Sequence, residues 1–126
     1  QNNRDIHCAI LAFDGSPKAV EALYLAAYLV YSWNIQLTVI SVQENERVGD
    51  QSLDKARQYL ETRNIQAEYL LKDKPVAEAI LNYATEIDCD LIIMGGYSKS
   101  PILQVVIGSV VDQVLRESAR PMMICK

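Results

Sequence analysis

The feature that most limits how this chain can fold is an alternation of short strand-like runs with stretches of helical spacing. Cys8 to Phe13 ("CAILAF"), Leu37 to Val42 ("LTVISV"), Leu91 to Met94 and Met122 to Cys125 are largely unbroken apolar runs. Such runs suit strands covered on both faces, and the second is rich in β-branched residues. Ala67 to Leu71 is a shorter candidate of the same kind. Between the first two runs, Ser16 and Pro17 supply a capping hydroxyl and then a proline at the first helical position. Val20, Leu23, Tyr24, Ala27 and Tyr31 follow them at helical spacing. A polar stretch from Gln43 to Gln51 leads into a weaker helix marked by Leu53, Ala56 and Leu60. Val76, Ala79, Ile80, Tyr83, Ala84 and Ile87 trace the cleanest amphipathic period, and Val110 to Glu117 reads as the last helix.

The order is therefore β-α-β-α-β-α-β-α-β. This pattern predicts an α/β, Rossmann-like fold: an open five-stranded parallel sheet with helices on both faces. A strand order 3-2-1-4-5 would set the first and fourth strands side by side at the point where the order reverses. Ligands of such sheets sit there, beyond the carboxyl ends of the strands. One domain over residues 1–126 is expected, with residues 1–5 as linker. Gln1 is not a start methionine, which fits a trimmed boundary or one half of a longer chain.

Charge and cysteine content remove several classes of function. Twelve Lys and Arg against sixteen Asp and Glu give a net charge of −4. No basic face is visible that would neutralise phosphates, so DNA and RNA are not expected partners. No apolar stretch approaches the length of a membrane span. Cys8, Cys89 and Cys125 have no metal-type spacing, and Cys8 and Cys125 fall in apolar runs, where free thiols act as small hydrophobes. His7 is the single histidine, so neither a metal cluster nor a Cys-His nucleophile is expected.

The residues from Met94 to Val110 ("MGGYSKSPILQVVIGSV") carry three of the five glycines and join the fourth strand to the last helix. A strand, a glycine-bearing loop and a helix start make an anion site, because unpaired amides and the positive end of the helix dipole face one space. Ser109 stands where the helix begins, and Gly108 has no Cβ to keep a phosphate away. A plainer reading stands beside this one. Ser109 with Asp112 three residues on is also a capping-box-like start, and Gly95-Gly96 also suits a turn. The glycines match neither GxGxxG nor GxxxxGK[ST].

The same stretch resembles the nucleotide loop of the universal stress protein family, G-x-x-G, nine residues, then G-[ST]. Gly95, Gly108 and Ser109 match, while Ser98 holds the place of the second glycine. "AFDGSP", "ISVQE", "DLIIMGGYS", "IGSVVDQVL" and the closing "RPMMICK" extend the resemblance over the chain. It implies a small cytoplasmic α/β protein, not an enzyme, in which many members hold ATP or ADP, with or without Mg, and others hold no nucleotide. By matching position, Asp14 would meet the ribose or adenine side and the backbone of Val42 would frame adenine. Met94 and Gly95 would pass beneath ribose and α-phosphate, and Gly108, Ser109 and Val110 would meet the distal phosphates. Ser98 would offer a hydroxyl and Lys99 a positive charge. The resemblance also implies a homodimer paired through Met122 to Cys125, or pairing with a second domain of the same chain. A dimeric interaction protein of this family without nucleotide is the alternative.

Overall fold

The computed structural model describes residues 6–43, 48–73, 75–95 and 109–125. Nine elements follow one another: β1 (Cys8–Ala12), α1 (Pro17–Trp33), β2 (Gln36–Gln43), α2 (Val48–Thr62), β3 (Ala67–Asp73), α3 (Val76–Glu86), β4 (Leu91–Gly95), α4 (Ser109–Glu117) and β5 (Met122–Cys125). The strands form one parallel sheet in the order β3-β2-β1-β4-β5, as the alternation predicts.

Both faces of the sheet are covered, and the two cores explain why the strands are apolar at consecutive positions. Leu11, Val39 and Ile93 point to one side, where they pack with Leu23, Ala26 and Ala27 of α1 and Leu53, Ala56 and Leu60 of α2. Ile10, Ile40 and Ile92 point to the other, against Ala77, Ile80 and Ala84 of α3 and Val111 and Val114 of α4. Burying a Leu or Ile side chain stabilises the fold by about 1.5–3 kcal/mol, so these central strand positions dominate the cohesion.

Local chemistry sets the ends of α1. Ser16 is extended and its Oγ accepts from Ala19 N at 3.3 Å, with Pro17 opening the helix. At the far end Asn34 adopts a left-handed conformation (φ 56°) and its N–H donates to Val30 O. α2 begins at Val48, inside the stretch expected to be polar coil. Leu53, Ala56 and Leu60 are its buried apolar residues, and the residues before Leu53 carry no apolar period that would signal a helix.

Two close contacts position the chain at the carboxyl ends of the strands. Gly15 has φ +80°, a region that suits residues without Cβ, and a Cβ there would lie 3.3 Å from Ser52 Oγ of α2. Gly95 ends β4 against the first turn of α1. A Cβ there would come within 2.6 Å of Ala19 N and of the Lys18 carbonyl carbon.

Candidate functional site

The sheet order places β1 and β4 side by side, with Ala12 opposite Met94. The exits of these two strands flank the point where strand order reverses, the location at which open α/β sheets bind ligands. Asp14 lies just past the end of β1, exposed, and its Oδ1 accepts from Ser16 N at 2.9 Å. This Asx turn feeds the chain into α1. The turn is anchored from below by Ser41, a buried residue of β2 whose Oγ donates to Phe13 O at 2.6 Å, while Phe13 N donates to Ile40 O at 2.9 Å. Sequence reasoning passed over Ser41. Its signal was a hydroxyl within an apolar strand, shared with Thr38.

Most of the amides at the start of α1 are taken by its own residues. Ser16 N is taken by Asp14, Pro17 has no N–H, Ala19 N donates to Ser16 Oγ and Val20 N donates to Ser16 O. An anion therefore gains little from this helix terminus, although its dipole points the same way. The Asp14 turn lines one side of the reversal point.

The other side begins at β4. Met94 is buried among the residues of the α3 and α4 face, opposite Ala12 on one side and Ile124 on the other. Gly95 pairs in register with Cys125. Its bare Cα serves the packing of α1, a role that a pattern of glycines cannot reveal. α4 opens at Ser109, and Val110 and Val111 pack in the same cluster as Met94 and Val42. Helix start and strand exits thus share one core. Val42 is half-buried near the end of β2, opposite Lys72 of β3. Asp112, which the sequence offers as a cap, places Oδ2 at 3.1 Å from Arg116 Nε and 2.9 Å from its terminal nitrogen, one turn further along. Ser98, Lys99 and Gly108 lie outside the described residues, as do Gly96 and Pro101.

The structure thus brings Asp14, Val42, Met94, Gly95, Ser109 and Val110 to one end of the sheet. Among the described residues no three His, Cys, Asp or Glu side chains gather to hold a metal ion. No helix there is long and apolar enough to cross a membrane. The thiols stand apart from the crevice in character. Burial pushes Cys89 up to about 11 and raises Cys8 and Cys125 as well, so all three are protonated at neutral pH. Cys89, outside any strand, is the buried one, whereas the strand residues Cys8 and Cys125 are half-buried.

Comparison with known proteins agrees with this geometry. The model of the universal stress protein family matches residues 9–126. A universal stress protein of Synechocystis is 29% identical over 118 residues, covering 90% of this chain. The chain spans only 40% of that relative's length. Among solved structures, a universal stress protein of Archaeoglobus fulgidus in complex with dAMP superposes with a TM-score of 0.76 at 19% identity, covering 96% of this chain and 98% of that one. A family member from Arabidopsis thaliana with AMP bound superposes with a TM-score of 0.71 at 14% identity, over 95% and 91% of the two chains.

Proposed function

We propose that this chain, which belongs to the universal stress protein family, is a cytoplasmic nucleotide-binding regulatory module that holds ATP or ADP with little or no turnover. The observation that carries the reading is the joining of β1, β4 and the Ser109 start of α4 at the reversal point of the sheet. The complexes of related folds with AMP-type nucleotides support it. In this arrangement the Asp14 turn and the Val42 backbone flank the nucleoside. Met94 and Gly95 form the floor, and Gly108, Ser109 and Val110 offer amides to the phosphates. Ser98 and Lys99 complete the same loop. Among the described residues no carboxylate cluster would hold Mg, so Mg would travel on the phosphate oxygens. Chemistry on the phosphates also needs a positioned base, and Asp112 is instead bound to Arg116.

Isothermal titration with ATP and ADP tests this. Saturable binding that Gly108→Val weakens at least tenfold, with an unchanged melting curve, is the expected result. Absence of binding at millimolar nucleotide overturns it.

A second reading is an interaction protein without nucleotide, and one observation favours it. The packing of α1 already accounts for a glycine at position 95, so that residue needs no ligand to explain it. Under either reading β5 is an edge strand whose four residues are all half-buried. Edge strands tend to be paired or covered. We assign this edge to pairing with a second copy or with a sister domain of a longer chain. Light scattering should report self-association that Met123→Lys weakens.

A further inference from the structure

Helix α1 has two apolar faces where a sheet-covering helix needs one. Ala19, Ala22, Leu23, Ala26, Ala27 and Leu29 are buried against the sheet. On the opposite side Tyr24, Tyr28 and Tyr31 follow the i, i+4, i+7 spacing of a single stripe, and they are 51%, 65% and 86% exposed. No residue from Ala22 to Trp33 carries a charge. The nearest charge on the helix, Glu21, is engaged by Lys18 at 3.1 Å. The stripe continues onto α2, where the Tyr59 ring lies 4.9 Å from that of Tyr24 and the Arg63 guanidinium sits 3.8 Å from the Tyr59 ring centre. Tyrosine offers a large rigid contact surface at low entropic cost, and contiguous aromatic patches of this kind mark association surfaces.

We propose that this stripe is an interface with a second copy of the chain, α1 packing antiparallel on α1 about a two-fold axis at Tyr28. The first argument is charge. Each copy carries −4, and α1 from Ala22 to Trp33 sets no charge against its counterpart, so like-charge repulsion is least there. A basic protein would be met by carboxylates, and this stripe has none beyond Glu21.

The second argument is self-complementarity. With Tyr28 on the axis, Tyr24 of one copy lies beside positions 31 and 32 of the other, and Leu25 lies beside position 31. No like charges face each other, as an isologous contact requires.

The third is area. At roughly 200 Å² for a fully exposed aromatic side chain, the three tyrosines bring on the order of 400 Å² per copy. Two copies bury on the order of 800 Å² through them, and the margins at Val20, Leu25 and Tyr59 carry the contact toward the roughly 1,000 Å² of a specific interface. This surface is distinct from the β5 edge and independent of any ligand.

Sedimentation equilibrium of the wild type, Tyr28→Glu, Tyr28→Phe and Met123→Lys, together with oxidative cross-linking of Tyr28→Cys by diamide, tests the proposal. Tyr28→Glu should weaken self-association at least tenfold without lowering the melting temperature, because residue 28 is solvated in the single copy. Tyr28→Phe should keep the association. The Tyr28→Cys protein should give a covalent dimer whose linked peptides both contain residue 28. A wild type that stays monomeric at high micromolar concentration overturns the proposal. So does association unaffected by Tyr28→Glu, or cross-links confined to the native cysteines. Dissociation by Met123→Lys with no effect of Tyr28→Glu would assign the interface to β5 alone.

Discussion

The two ends of the sheet are built from different residues and used differently. At the amino ends of β1, β4 and β5, polar side chains stitch the chain to itself. Asp90 Oδ2 accepts from His7 N at 2.8 Å and from Cys8 N at 3.1 Å, joining the starts of β1 and β4. Arg120 Nε donates to Cys89 O at 2.7 Å, and its terminal nitrogen meets Asp88 Oδ1 at 3.2 Å. An open groove of about 380 Å³ lies among these residues, lined by Ile6, Cys89 and Pro121 as well as the charged groups. Its volume alone would mark it as a binding site. Its hydrogen bonds show that the charges there hold strand starts together, and it lies at the end of the sheet opposite the reversal-point crevice. At the carboxyl end of β1 the turn is made by small residues, and its charged side chain, Asp14, binds a neighbouring amide. Side chains at the amino end join different strands, whereas Asp14 and Ser16 at the β1 exit close their own turn. The destination of each polar group, rather than the volume of the groove, tells what the amino end does.

Variants at the two ends should therefore separate stability from affinity. The largest effect is expected where the crevice and the core share a residue. Gly95→Ala forces a methyl group to within 2.6 Å of α1 backbone. It should destabilise the protein by about 1–3 kcal/mol or more in urea unfolding. Full stability in that variant would remove the packing role assigned to Gly95.

At the opposite end, Asp90→Ala removes an acceptor shared by two backbone amides. A loss of about 1–3 kcal/mol is expected, with nucleotide affinity unchanged in titration. A matching fall in affinity would contradict the separation of the two ends.

A smaller effect is expected from Asp14→Ala, which opens the Asx turn at the β1 exit. About 0.5–2 kcal/mol of stability should be lost, the range measured for capping side chains. Unlike Asp90→Ala, it should also weaken nucleotide binding.

The smallest effect concerns pH. The Cys89 thiol is raised from 9.0 to about 11 by burial, so between these values the folded protein retains a proton that the unfolded chain has released. The stability tied to that proton is fully present below pH 9 and is lost as pH rises through 11. Cys89→Ala should flatten this alkaline slope in urea midpoints measured from pH 8 to 11.

How much was legible in the sequence differs between the cores and the crevice. Strand and helix order, and with it the parallel sheet, follow from apolar runs such as "CAILAF" and from the period of Val76, Ile80 and Ala84. Those patterns exist because both faces of each central strand must be buried, a demand that acts on every residue in turn. The cap at Ser16-Pro17 was equally legible, because its hydrogen bonds span only a few residues. The reversal point of the sheet was readable as a consequence of topology, whereas the tasks of several residues near it were not. Asp14 as the brace of its own turn, Ser41 as the clamp on Phe13 O and Asp112 as the partner of Arg116 all depend on which groups meet in three dimensions. Gly95 is the sharpest case. A glycine near a nucleotide-loop pattern reads as space for a ligand, yet the space beside this one is taken by α1, a segment some 77 residues earlier in the chain. Periodicity and local capping are written along the chain, and so the amino-acid sequence by itself determined the order of elements and the two cores. Close approach between distant segments has no local signature, so only the tertiary structure decided which small and polar residues serve packing and which brace the turns beside them.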